Sequence, residues 1–358
     1  MNRTAVRSRT ASALLFTLFS LAAATEAAPI DWVTVGDPGN AADTNGQGAV
    51  AETFRIMKYE FTNAQYADYL NAVDPEGTGG DVWSDGMNAA APYHGGILRL
   101  PSNPFGQRYA ASGAMAEMPV NWVNVFQVAM ACNWLTNGAT NYATSAAGLA
   151  AVMDGTYTLP ASGSAFPAAN PGSRYFIPGV DQWYKAAYYK GGGSNAGYWS
   201  YATQSDSAPS SVSATAAGLG SDGGTAPLTT GNFANYGNTA GWNGYAANVT
   251  RVGTNGGASA YGAFDMGGNV WEWQTKGADI TQVVRGGAYD YSDLGLSSSF
   301  WIPNVMPRDR GTSIGFRLAS LDVASVPEID PAGLTSVLTL LAGGLGLVER
   351  RRTASVAA

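Results

Sequence analysis

The sequence predicts one loop-rich domain in which short helices and short strands both occur, framed by two end segments that act as addresses. Three observations predict it. The 358 residues include 46 Gly and 17 Pro, more than one residue in six where ~12% is usual, so regular elements must be short. Only 13% of residues are charged against 46% hydrophobic, which excludes a coiled coil or a charged disordered tail and leaves ample material for a core. Apolar and aromatic residues recur throughout residues 29–325 without a polar linker, so a single domain is expected there.

Residues 1–28 carry Arg3, Arg7 and Arg9, then an uncharged apolar run over 13–24, then small residues before Pro29. That order is a secretory signal peptide, and it places the rest of the chain outside the cytoplasm. At the other end Val326-Pro327-Glu328-Ile329-Asp330 precedes 18 uncharged residues, 331–348, and then Glu349-Arg350-Arg351-Arg352. As a helix the uncharged run is ~27 Å long, enough to cross a bilayer, and the arginines hold that end inside. The tail at 326–358 resembles the sorting signals of exosortase-type systems, with the second Pro of their Pro-Glu-Pro box replaced by Ile329. The resemblance implies exosortase-type machinery as a partner and a membrane anchor that is retained or released to the extracellular matrix.

Between the ends, residues 50–60 alternate loosely and predict a strand. A helix follows over 62–73, opened by a capping box of Thr62 and Gln65. A second helix is expected over 123–137, with Val125, Val128, Ala129, Cys132 and Leu135 on one stripe and Gly138 as its stop. A third is expected over 180–189, after Pro178. The Ala/Gly/Ser segments 74–118, 138–172 and 191–231 read as loops. The last carries Tyr198, Trp199 and Tyr201, and such anchors predict an ordered surface loop rather than a linker.

The formal charge of −7 falls to −9 when residues 1–28, with three Arg and Glu26, are removed. An acidic body is unsuited to nucleic acid, which recruits clustered Lys and Arg. One cysteine, Cys132, and one histidine, His94, exclude an intrachain disulfide, a Cys/His zinc set and a cysteine pair for Cu(I). Cys132 lies on the apolar stripe of the second helix and reads as a core residue. His94, in a Pro-Tyr-His-Gly-Gly loop, reads as an ordinary loop histidine.

The densest segment is Tyr261 to Trp273. A strand at 270–273 sets Trp271 and Trp273 on one face and Glu272 on the other. A carboxylate beside two large aromatics must meet a cation, either an arginine or a metal ion. Asp265 lies seven residues earlier across a Gly-Gly turn, and carboxylates with inward carbonyls are hard oxygen ligands suited to Ca²⁺.

Phe264-Asp265-Met266-Gly267-Gly268-Asn269-Val270-Trp271-Glu272-Trp273, Val284-Arg285-Gly286-Gly287-Ala288-Tyr289 and Gly315-Phe316-Arg317-Leu318-Ala319 resemble the formylglycine-generating sulfatase-modifying enzyme family. Earlier blocks agree in order: Lys58 to Tyr66, Met118-Pro119-Val120, Asn133-Trp134-Leu135, and Ile177-Pro178 with Trp183 to Ala187. The resemblance covers residues 32–320. It implies an α+β fold of the C-type-lectin-like kind with two calcium sites. One would use the side chains of Asp265 and Glu272 with the carbonyls of Gly268 and Val270. The other would use Asn235, the Tyr236 carbonyl, Asn243 and the Tyr245 carbonyl, weakened by an Asn at 243 where the family pattern has an Asp.

The family's copper-binding cysteines do not carry over: Tyr291 and Leu296 stand at their positions, and Ala288 replaces a pocket serine. Neither side chain binds copper as a thiolate does, so copper is not expected. Relatives that bind iron do so through several histidines, which a lone His94 cannot supply. The same region offers Tyr289, Tyr291, Trp301, Arg308 and Arg310, a set suited to a saccharide or polypeptide ligand. The alternative is that Phe300 and Trp301 are core and the arginines pair with Asp290 or Asp293. The expectation is an exported, calcium-binding, non-catalytic binding protein of the cell envelope or matrix. The rival is an oxidoreductase of the formylglycine-generating type working through other residues.

Overall fold

The computed structural model describes residues 29–90, 94–162, 165–193, 195–276, 279 and 281–321. The expected signal peptide and the expected tail, with its span 331–348, lie outside the described residues. Among those residues no helix is long and apolar enough to cross a membrane.

Two four-stranded sheets and four helices carry an α+β fold. The first sheet runs Trp32–Val35, Phe54–Met57, Ala319–Leu321, Tyr175–Phe176, all antiparallel. Ile56 faces Val33 on one side and Ala319 on the other, so the first and last strands of the domain share a sheet. The second sheet runs Ile302–Val305, Gln282–Arg285, Trp271–Gln274, Ile314–Gly315, with only the last pairing parallel. Its two central strands are buried at every position, which is why neither reads as a clean alternation.

Helix α1 (Asn63–Val73) starts where its capping box predicts: Thr62 Oγ1 accepts from Gln65 N–H and Gln65 Oε1 from Thr62 N–H. Such a cap stabilises a helix by about 1 kcal/mol. Helix α2 (Val125–Thr136) opens on a second box, Asn124 with Gln127. The expected single stripe understates α2. Every residue from Val125 to Trp134 is buried, and Leu135, placed on the stripe, is only half-buried. A helix buried all round is a core helix, and Cys132 within it is fully buried, its thiol pushed well above its ordinary pKa by burial.

Helix α3 (Ser145–Ala151) was not visible in the Ala/Gly/Ser run that contains it. Thr144 caps it, and it lies close against α1, with Gly148 at the contact. A Cβ added at Gly148 would lie 1.9 Å from the Val73 carbonyl oxygen. Helix α4 (Val180–Tyr188) follows Pro178 as expected. The described residues of segment 191–231 pack on the domain: Tyr198 receives a bond from Asn40, donates to the Ala41 carbonyl and packs on Tyr184 and Tyr189, while Val212 is fully buried.

Gly148→Ala is expected to destabilise the protein by at least about 2 kcal/mol, since the clash is with backbone. Gly138→Ala, whose Cβ would meet nothing within 4 Å, is expected to cost about 1 kcal/mol through its positive φ alone. Urea unfolding of the two variants measures the difference, and equal losses would remove close packing as the role of Gly148.

Candidate functional site

Glu272 lies on the second sheet between Arg285 and Gly315 in register and is 1% exposed. Its partner is Arg317, fully buried, which donates Nε to Oε2 and Nη2 to Oε1, both at 2.7 Å. Trp183 Nε1 donates to Oε2 at 2.7 Å. The same guanidinium reaches the Met57 carbonyl at 3.1 Å and the Phe264 carbonyl at 2.8 Å. Trp271 and Trp273 adjoin Glu272 along the strand Trp271–Gln274, and all three are buried. Trp273 Nε1 bonds the Val123 carbonyl at 3.0 Å.

Two more carboxylates surround this pair. Asp265, at a positive φ of 54°, accepts from Gly253 N–H and from Asn255 Nδ2. Glu60, fully buried, accepts from Asn269 Nδ2 at 2.7 Å and Val270 N–H at 3.3 Å. Burial pushes the Glu60 carboxyl well above the ordinary carboxylate range, and the Asp265 and Glu272 charges add to that. Burial raises Asp265 too, against the bonds from Gly253 and Asn255. For Arg317 burial opposes the charge, but Glu272, Glu60 and Asp265 more than offset it and hold the guanidinium above its usual value.

Calcium requires oxygens with lone pairs to spare. Glu272 Oε2 already takes two donors and Oε1 a third, while each Asp265 oxygen takes one. Glu272 therefore fits a guanidinium rather than a calcium ion. Among the described residues no group of three or more His, Cys, Asp or Glu is placed to hold a metal. In the second expected set, Asn235 is fully buried, its Nδ2 spent on the Asn248 carbonyl, Thr250 and Asn269, and its Oδ1 without a partner. The Tyr236 carbonyl accepts the Thr239 hydroxyl, and Asn243 is exposed on the Trp242–Tyr245 turn at a φ of 53°. Asn235 Oδ1 is thus a buried acceptor still open to a cation. It belongs to the Gly268 turn, because Asn269 N–H bonds the Asn235 carbonyl at 2.8 Å.

The five expected ligand residues do not converge on one point. Tyr289 is buried, 5.8 Å from His94, whose ring stacks on Tyr245 at 3.9 Å. Burial lowers the His94 pKa, with Asn248 and Asp290 opposing. Tyr291 packs edge-on to Trp271 at 5.1 Å and beside Phe300 at 5.7 Å. Trp301, 37% exposed, lies over the buried Arg285, which Tyr184 covers from another side. Arg308 and Arg310 share a cavity of 180 Å³ whose walls include Asp81, Trp83, Asn124 and Phe126.

Residues 33–321 match the family of sulfatase-modifying factor enzyme 1-like domains. The chain belongs to that family. Solved structures similar to this sulfatase-modifying factor domain include CarF, 20% identical over 82% of this chain and 98% of that one, with a TM-score of 0.43. PvdO from Pseudomonas aeruginosa is 19% identical over 82% of this chain and 92% of that one, TM-score 0.41. Variable protein 1 of Treponema denticola is 16% identical over 81% and 94%, TM-score 0.42. No functionally curated protein matches the chain. Identities this low leave the function of the domain to its own residues.

In this sulfatase-modifying factor domain the space around residues 291 and 296 is filled. Leu296 is buried, and a Cβ added at Gly287 would lie 2.7 Å from Leu296 Cδ2. One added at Gly295 would lie 2.8 Å from Tyr291 Cδ1. Ala288 is fully buried beside them. Sequence reasoning missed Arg317 as the partner of Glu272, Trp183 and Glu60 beside it, and the cavity walls Trp83, Asn124 and Phe126. Arg317 was in view in the Gly-Phe-Arg block, but nothing in a linear chain pairs it with a residue 45 positions earlier.

Arg317→Met is expected to destabilise the protein by about 3–5 kcal/mol, because Glu272 is left as an uncompensated buried charge. Glu272→Leu combined with Arg317→Met is expected to recover at least half of that loss in denaturant unfolding. A double variant as unstable as the sum of the singles would mean the pair is not the unit.

Proposed function

We propose that this sulfatase-modifying factor domain is a non-catalytic binding module, exported through its leader and held at the cell envelope or released to the matrix through its tail. The observation that carries it is the packed cluster of Tyr291, Leu296, Gly287 and Gly295. The family resemblance sets two copper-binding thiols at 291 and 296. A phenol packed on Trp271 and a buried isobutyl group supply neither a soft ligand nor room for a substrate thiol. The chain's lone thiol, Cys132, is fully buried in α2 and kept protonated by that burial. The exposed aromatic and basic residues Trp301, Arg308 and Arg310 support ligand binding instead.

For calcium we propose a narrower place than the resemblance implies. The open acceptor is Asn235 Oδ1, at the turn that also carries Gly268, whereas Glu272 is neutralised by Arg317. An ion there would tie the Asn235 segment to the Gly268 turn and contribute stability, not chemistry.

Purified protein supplied with Cu(I), oxygen and a cysteine-containing peptide is expected to leave the thiol unchanged by mass spectrometry. Formation of a peptide aldehyde above the level of a protein-free control would overturn the non-catalytic reading. Chelation by EDTA is expected to lower the melting temperature by less than Glu272→Gln does. A larger chelation effect would return calcium to Glu272, and no effect at all would remove calcium from the domain.

A further inference from the structure

We infer that the cavity between Arg308, Arg310 and the start of α2 is a subsite for one acidic sugar residue, a hydroxyl-rich ring carrying a carboxylate. The inference rests on the binding-module reading and names the ligand of that module. The two arginines are held out by a closed turn. Asp309 N–H bonds the Met306 carbonyl at 2.9 Å, Met306 N–H bonds Asp309 Oδ2 at 3.2 Å, and beyond it Trp122 N–H bonds the Gly311 carbonyl at 3.0 Å. Both guanidinium-bearing residues are exposed, and Arg308 lies 4.9 Å over the ring of Phe126.

The opposite wall is built by α2. Gln127 Nε2 donates to the Asp81 and Trp83 carbonyls at 3.1 and 3.2 Å, which fixes the segment bearing Asp81 and Trp83 against the helix. At the helix start Asn124 and Gln127 cap each other, so neither of their backbone N–H groups is left for a ligand. Phe126 and Trp83 are 5% and 7% exposed, so each shows only part of its ring to the cavity. The result is a mainly polar cavity, touched by the edges of two aromatic rings, with two cations and the Asp81 carboxylate in its walls.

Size, charge and hydroxyl chemistry each narrow the ligand. A cavity of 180 Å³ admits a single ring rather than the 300–1,000 Å³ occupied by a whole drug-sized ligand, so a longer chain must run on across the surface. Paired guanidinium groups favour a carboxylate, which a guanidinium can grip with two parallel bonds. They stand out in a chain of net charge −7, which repels polyanions at long range, so attraction to an anion must be local. Asp81 accepts hydroxyl hydrogens but repels a second anionic group. That favours a sugar with one carboxylate and several hydroxyls over a run of acidic side chains.

Calorimetric titration of the purified protein with a galacturonic acid trisaccharide in low salt tests the inference. Wild type is expected to bind, with affinity falling as salt rises. Arg308→Gln/Arg310→Gln is expected to bind at least tenfold more weakly, with Arg251→Gln, an exposed arginine elsewhere, unchanged. Phe126→Leu, which keeps an apolar side chain in that wall, is expected to weaken binding less than the arginine pair does. A galactose trisaccharide bound as tightly, or an unaffected arginine double variant, would overturn the acidic-sugar assignment while leaving a binding module. Binding of a glutamate tripeptide in preference to the sugar would assign the cavity to acidic peptides and overturn it too. No binding by any probe would overturn the subsite, and only aldehyde formation in the copper assay would overturn the reading beneath it.

Discussion

The carboxylate of Glu272 is the constraint around which this domain is assembled. It sits on a strand buried on both faces, between two tryptophans, where an unpaired charge would cost several kcal/mol. Arg317 answers it in bidentate geometry and does more than neutralise. Its remaining donors reach Met57, at the end of a first-sheet strand, and Phe264, before the Gly-Gly turn, so one guanidinium joins both sheets and a loop. Trp183 brings α4 to the same carboxylate. With Glu60 and Asp265 alongside, three carboxylates share one buried cation, and burial raises the pKa of both added groups. That is a reason for the neighbourhood to be dense in hydrogen bonds from Asn255, Asn269 and backbone N–H groups.

The same density bears on chemistry. Glycines at 287 and 295 bring the backbone so close to Leu296 and Tyr291 that no side chain could be added without displacing them. A fold able to place reactive groups there has instead closed the space with packing. Buried polar atoms without a partner are spread over the described residues, at Asn235 and His94 and also at Gln274 and Arg285 on the second sheet. Arg308 and Arg310 stand exposed where the chain leaves the edge strand Ile302–Val305.

Local signals in the chain were legible and long-range ones were not. The capping box at Thr62 located the start of α1, and Pro178 that of α4, because caps and prolines act through neighbours in sequence. Trp271, Glu272 and Trp273 declared an expensive carboxylate, and the residues themselves left arginine and metal as the two answers. Choosing between them needed the fold, which alone shows that Arg317 fills the carboxylate. Helix α3 escaped notice because Ser-Ala-Ala-Gly-Leu-Ala-Ala has no apolar stripe; a glycine that admits the Val73 carbonyl sets its position. The ligand residues between Tyr289 and Arg310 looked contiguous, yet the turns between them point Tyr289 inward and Arg308 outward.

The strand Ala319–Leu321 lies in the interior of the first sheet, laddered to Phe54–Met57 on one side and Tyr175–Phe176 on the other. It is also nearly the last part of the domain to leave the ribosome. Until it arrives, Phe54–Met57 has an open edge and Glu272 has no counter-charge, because Arg317 precedes that strand by two residues. The domain therefore cannot complete its core during synthesis and is obliged to remain unfinished until almost its whole length exists, a state compatible with threading through a narrow export pore. Once folded, the same placement means that detaching this strand breaks two ladders at once rather than one.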